Sequence, residues 1–573
     1  MANCTSNLTS GFIDLATYDE LEKYMYGGAD ATAYFVRETR KSTWFTQVPV
    51  VLSNASGNAQ WGQEWSVTIS RAGDYLLNTW LRVNIPSIIP AQLVTGGPTA
   101  AALDGTTDLA TINNPLGVTS PAFGLVWTPN LMHNLVKECC ITFNDLVAAR
   151  FDSHHLDFWA AFTTPEGKRQ GYANMIGNTP NLAAEMAFGG MSAARSTRLP
   201  AATLNLPLPL FYSRDSGVAL PTAALPYNDM RINFSFRPIT ELLQKVVPCN
   251  NTAITAVNSE LGAYRCVPVQ ASDFLNSQIP PLGVTQVWAN YAIVSNDERK
   301  RMACAPRDIL IEQVQSAPVI NWNPSGQNNY DIRFSHAIKV LFFAARNKTC
   351  PAARSNYTTQ SQVISSTTSL NNTDPFVALM LPSTGNRSGV DAADPIEATH
   401  LTYENTMRLG AMGSDYYSLV QPWYHAPRIP VVTGYHMYSY SLDFICLDPL
   451  GSTNYGKLTN VSLSPDGSAF ADAASGGAVV RQVGLNVPNA NVVFTNFSTN
   501  QPQNAVSSGG SGRLLVLANK QTVTLEAAPA NGTVNGQSIA TLDIQTQSFD
   551  FIVTAVNNNI IRVSGGALGF PVL

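Results

Sequence analysis

MRINFSFR, residues 230–237, sets Met230, Ile232, Phe234 and Phe236 against Arg231, Asn233, Ser235 and Arg237. Side chains alternate across a strand, so this period of two buries one face and wets the other, as in a β-sandwich. Working outward, residues 76–85 repeat the pattern, with Leu77, Thr79, Leu81, Val83 and Ile85 on one face and Leu76, Asn78, Trp80, Arg82 and Asn84 on the other. Similar runs occur at 287–293, 336–342, 436–444 and 549–555, separated by loops rich in Gly, Pro, Ser, Thr and Asn. The chain reads as all-β.

Helices are few and short. Thr17 and Glu20 are spaced as a capping box and Gly27 as a stop, which predicts a helix over roughly 18–26. Others are predicted after Asp152, from Thr164-Pro165-Glu166, and after Ser295 with Glu298 three residues on. The order aromatic pair, loop, apolar-Pro segment, alternating strand occurs at 210–236 and again at 423–444. An offset of about one sandwich domain points to two β domains in tandem. The stretches 91–125, 350–398 and 464–545 are poor in aromatics and rich in small polar residues, and are expected as surface insertions.

The 573 residues carry 34 basic and 39 acidic side chains, a net charge of −5 that gives no footprint for nucleic acid. Charged residues are 13%, about half the roughly 25% usual in soluble domains. The N-terminus lacks the basic start and apolar core of a signal peptide, and runs such as LFFAA (341–345) and LLVLA (514–518) are strand-sized, so an unexported, non-spanning chain is expected. The eight cysteines are scattered without zinc spacing and read as idle thiols. Sequons such as Asn7, Asn233 and Asn531 are expected to arise largely by chance in a chain this rich in Asn, Ser and Thr, and without export they meet no conventional glycosylation machinery.

Catalytic signals are sparse. Asp152, His154, His155 and Asp157 form the best cluster, but adjacent helical residues diverge by about 100° and cannot share an ion. Asp152 reads as a cap and the histidines as partly buried; His133, His336, His400, His425 and His436 each stand alone in the sequence and read as satisfied structural groups rather than ligands. Asp19 and Glu20 sit at a helix N-terminus. Trp61, Trp65, Trp423 and Tyr424 suit core packing better than a sugar platform. No catalytic, metal or cofactor-binding residue is assigned. Three classes stay open on the residues alone. They are a shell-forming structural protein whose neighbours consume its surface, a carbohydrate-binding sandwich, and a β-sandwich glycoside hydrolase.

Four stretches, TSGFIDLATYDELEKYMYGG (9–28), WTPNLMHNLVKECCITFND (127–145), KRQGYANMIGNT (168–179) and LPLPLFYSRDSGVALPTAALPYNDMRINFSFR (206–237), closely resemble the major capsid proteins of iridoviruses. RFSHAIK (333–339), YYSLVQPWYHAPRIPVVTGYHMYSYSL (416–442), GSTNYGKLTN (451–460) and AVNNNIIRVSGGALGFPVL (555–573) continue the resemblance in order. It implies a double jelly roll, two tandem eight-stranded sandwiches with short helices in loops, and a non-enzymatic role. It also implies a homotrimeric, pseudo-hexameric capsomer in the icosahedral outer shell of a large DNA virus, assembled in host cytoplasm. Partners implied are neighbouring capsomers, minor capsid and penton proteins, and a nearby internal membrane, without direct nucleic-acid contact. The expected division is an arm at 1–40, a first jelly roll at 41–240, a linker at 241–282, and a second jelly roll at 283–573 that contains the 464–545 insertion.

Overall fold

A computed structural model of the chain describes residues 4–89, 124–178, 199–248, 263–348, 394–467 and 548–570, except 275, 276, 325, 327 and 328. It also describes 354–358, 364–365 and five strands between 481 and 527. Residues 1–45 and 46–573 form separate units. The first unit carries helices α1 (Cys4–Ala16) and α2 (Glu20–Tyr26). The cap of α2 is Asp19, boxed with Glu22, two residues later than the predicted Thr17 and Glu20. Thr17 instead donates its hydroxyl hydrogen to the Asp14 carbonyl at the end of α1.

In the second unit, a sheet of order β1 (Phe45–Val51), β12 (Thr285–Val294), β4 (Tyr75–Ile85), β8 (Ala202–Pro207) faces a second sheet. That sheet runs β2 (Ser53–Gly57), β3 (Glu64–Thr68), β9 (Met230–Phe236), β6 (Val136–Phe143), β7 (Leu146–Asp152). Leu81, Val83 and Val287 from one sheet and Val67, Ile232 and Phe234 from the other share one core. The alternation in β9 is as predicted, with Met230, Ile232, Phe234 and Phe236 all buried. In β4 the inward phase holds from Thr79 to Ile85, but a bulge at Leu77 shifts the register and buries Leu76 instead.

The next sandwich repeats this plan. One sheet runs β13 (Arg307–Ser316), β28 (Phe549–Ser564), β16 (Ala337–Asn347), β20 (His436–Ser439). Its mate runs β15 (Tyr330–Asp331), β22 (Val461–Gly467), β18 (Ile396–Tyr403), β19 (Thr406–Gly413). Short β14 (Ile320–Trp322), β21 (Thr453–Asn454) and β29 (Ala567–Gly569) extend the first of these. Position for position, β1-β12-β4-β8 matches β13-β28-β16-β20, and β3-β9-β6-β7 matches β15-β22-β18-β19. The β6–β7 and β18–β19 hairpins turn through two-residue loops with positive φ at both positions, Asn144-Asp145 and Glu404-Asn405, the primed turn that suits strand twist. This is a double jelly roll.

Several expectations need correction. Strand β9, the last strand within the jelly roll expected at 41–240, does not close it: β12, expected to open the second sandwich at 283, completes the first by pairing along β4. The division therefore falls after Val294. The counterpart of β9 is β22, while the strand within 436–444 matches β8, so the stretches 210–236 and 423–444 correspond one strand out of step. The expected linker 241–282 contains β10 (Leu243–Pro248) and β11 (Ala263–Val267), in a sheet of order β17 (Ile364–Ser365), β11, β10, β5 (Gly124–Trp127). Alternation reports that a strand is half-buried and is silent on its neighbours.

Within the expected insertion, β23 (Arg481–Leu485) pairs with β26 (Gly512–Val516), and β24 (Ala490–Asn496) with β25 (Gln501–Ala505) and β27 (Leu525–Ala527). Among the described residues none of these five strands pairs with a jelly-roll sheet. The expected boundary at 464 is early, since β22 runs to Gly467. The 91–125 stretch lies almost wholly outside the described residues.

Candidate functional site: the seam between the sandwiches

The sequence-predicted cluster sits on helix α4 (Ser153–Thr163), which follows α3 (Leu131–Leu135) and precedes α5 (Arg169–Ile176). Asp152 caps α4 as predicted, its Oδ1 accepting from the His155 amide at 2.9 Å. The helix is wedged between the sandwiches, which explains why it carries apolar residues on more than one face. Leu156 enters the first core, whereas Phe158 and Phe162 join Val340, Phe342, Ala344, Met437, Ile552 and Val556 on the outer face of the second sandwich's sheet. Phe342 is flanked by both, with ring centroids 5.8 Å from Phe158 and 5.4 Å from Phe162. Burying a Phe contributes about 1.5–3 kcal/mol, so this aromatic stack is a large share of the seam.

Asp157 gathers the polar part of the seam. Its Oδ1 accepts from Asn130 Nδ2 at 3.1 Å and His133 Nδ1 at 2.8 Å; its Oδ2 accepts from the hydroxyls of Ser355 at 2.7 Å and Tyr357 at 2.9 Å. Because the Tyr357 hydrogen goes to Asp157, His154 Nδ1 donates to the Tyr357 oxygen at 3.2 Å. His133 Nε2 meets the Tyr172 hydroxyl at 2.6 Å. Burial pushes the Asp157 carboxyl up, but bonds from His133 and Ser355 outweigh it and the net shift is downward. Gly434, at φ +99°, adjoins this cluster; a Cβ there would collide with the Tyr357 carbonyl. Tyr357 and Thr358 are buried here, so part of the stretch 350–398 expected at the surface is interior.

Sequence reasoning missed a second ionic cluster. Glu312 on β13 accepts from Lys339 Nζ and Arg214 Nε, both at 2.6 Å, and Lys339 also donates to the Cys446 carbonyl at 2.6 Å. Lys339 is 0% exposed, and the Arg214 guanidinium lies 4.4 Å from the Trp159 ring centroid. One charged residue inside the apolar run AIKVLFFAA was the available signal, since a buried lysine requires a partner.

His154 and His155 are both buried, and burial lowers each to about 4 against an opposing pull from Asp152. His155 Nδ1 is buried without a hydrogen-bond partner beside a cavity of about 20 Å³, lined in part by Trp159, Phe211 and Arg214. Such a space holds roughly one water. Of the histidines that stand alone in the sequence, four are hydrogen-bonded structural groups: besides His133, His400 meets Asp466 at 2.9 Å, His436 meets Asp394 at 2.7 Å, and His425 donates to the Leu442 carbonyl at 3.0 Å. His336 takes a positive φ of 63°. Ser295 caps α6 (Asn296–Cys304) without a side-chain bond. Trp65 is core, and Trp61 stacks on Trp127, but Trp423 and Tyr424 are 72% and 73% exposed and are not core. The Asp157–His133 pair could orient a base, yet Asp157 and Tyr172 occupy both ring nitrogens and the pair is 1% exposed, so it fastens rather than reacts.

Two family models meet at this architecture's midpoint. "Major capsid protein N-terminus" matches residues 33–292, through most of β12, and "Large eukaryotic DNA virus major capsid protein" matches 298–510. The major capsid protein of Costelytra zealandica iridescent virus is 52% identical over 575 residues, covering 100% of both chains. That of Invertebrate iridescent virus 6 is 51% identical, again over 100% of both. Among solved structures, a quasi-atomic model of the PBCV-1 virus capsid superposes with a TM-score of 0.59 at 15% identity, covering 94% of this chain and 100% of that one. With the two matched jelly rolls and a seam built to fasten, these likenesses assign the chain to the major capsid protein family of iridoviruses and other large eukaryotic DNA viruses.

Proposed function

We propose that the chain forms a homotrimeric capsomer of pseudo-hexagonal outline, the repeating unit of the outer capsid shell. The observation that carries this reading is the matched order of sheets in the two sandwiches, with hairpins of the same turn type. Two similar blocks per chain let three chains present six similar edges, and a closed cyclic ring satisfies them all. Low charge density suits a surface mostly taken by neighbours. Minor capsid and penton proteins would fill the joints between capsomers, and an internal viral membrane would lie beneath; assembly would take place in host cytoplasm. Electron-microscopic class averages of the purified protein test the outline: six lobes with threefold symmetry are expected, and a two-lobed particle would contradict the proposal.

A further inference from the structure

The two sandwiches carry equivalent aromatic surfaces, one fully covered and one only partly buried. Their bulges supply the alignment. In the first, Tyr291 pairs with Leu76 and Asn290 with Asn78, skipping Leu77; in the second, Asn557 pairs with Ile338 and Val556 with Val340, skipping Lys339. Three residues beyond each bulge stand Trp80 and Phe342. Phe342 is fully buried beneath Phe158 and Phe162 of α4. Trp80 stacks on Trp288, its partner in register, with centroids 6.2 Å apart and an interplanar angle of 11°. Leu81 and Val287 point into the first core, so this tryptophan pair occupies the sheet's outer face. Both rings are only partly buried, and among the described residues they stack on no ring but each other.

The helices match in the same way. Leu156, four residues after the end of β7, enters its own sandwich core; Tyr417, four residues after the end of β19, enters its own. By that offset Trp423 stands where Phe162 stands, on the helical stretch formed by the π turn Tyr416–Val420 and α7 (Gln421–His425). Phe162 is buried, whereas Trp423 and Tyr424 are exposed beside Leu442, which is 74% exposed and tied to the helix through His425.

We propose that the Trp423–Tyr424 face docks on the Trp80–Trp288 face of a second copy of this chain, repeating between chains the contact that α4 makes within one. The inference rests on the trimer reading and adds its residues. The occupant is a second copy because each surface, the exposed Trp423–Tyr424 face and the partly buried Trp80–Trp288 face, is the counterpart of one half of a seam already closed inside the chain. Such a head-to-tail contact propagates until the ring closes.

The test measures light-scattering mass against concentration for the parent, for Trp423→Glu/Tyr424→Glu and for Trp80→Glu. The parent should be a trimer; both variants should need about thirtyfold or more protein to assemble, as loss of interface tryptophans does, with a parent-like far-ultraviolet spectrum. Trp423→Ala and Trp80→Ala give the same reading in smaller steps should a charge prevent folding. A trimeric parent with variants that assemble equally well overturns this surface and leaves the trimer standing. A folded, monomeric parent overturns both.

Discussion

Replacing His155 with Phe isolates one buried proton site. The ring is fully interior, packed against Trp159 and Phe151 at centroid distances of 5.7 and 6.3 Å, so another flat ring fits with little change in volume. Burial first, and the Arg214 charge after it, lower the imidazole from 6.5 to about 4 against the pull of Asp152. A base whose folded pKa is depressed stays neutral in the native state while the unfolded chain takes the proton. Its stability is therefore present above pH 6.5 and lost as pH falls toward 4. The loss attributable to His155 is near zero at pH 7, about 2 kcal/mol at pH 5, and about 3 kcal/mol below pH 4. His155→Phe should thus match or slightly exceed the parent at pH 7, since the unpartnered Nδ1 is removed, and lead it by about 2 kcal/mol at pH 5. Urea midpoints at pH 7, 6 and 5, at fixed protein concentration, read the difference. A gap between variant and parent that stays constant from pH 7 to 5 would refute the reasoning.

Phe234→Ala should cost roughly 3–5 kcal/mol because the ring is buried between Trp65 and Phe236, whereas Ser235→Ala on the opposite face should sit near zero; equal urea midpoints for the two would disprove the face assignment. Glu312→Gln removes the carboxylate shared by Lys339 and Arg214 and should cost about 3–5 kcal/mol, with the double variant Glu312→Gln/Lys339→Met partly recovering; a double variant worse than the single would contradict a buried-charge origin. Replacing 468–547 with a short Gly-Ser linker should change stability by about 1 kcal/mol or less, as closure cost grows logarithmically; failure to fold would mean that the segment supplies core strands.

Much of the scaffold is legible in the sequence because β alternation is a local signal. The inward residues of β9 and the Asp152 cap follow from period and spacing alone. What stays hidden is set by long-range pairing. Nothing local tells that β12 returns to β4 across about two hundred residues, or that a bulge moves Leu76 rather than Leu77 inward. The seam is hidden for the same reason, since Asp157 meets Ser355 and Tyr357 from nearly two hundred residues away. Trp423 and Tyr424 mislead differently: large aromatics suggest core by composition, and only the folded chain shows these two exposed.

The mass of the purified chain by light scattering at micromolar concentration is the most direct test of a shell subunit that builds trimers from two matched jelly rolls. Three copies of the 61.7 kDa chain in one particle is the predicted result. A stable, fully folded particle of a single copy across the whole concentration range would contradict it.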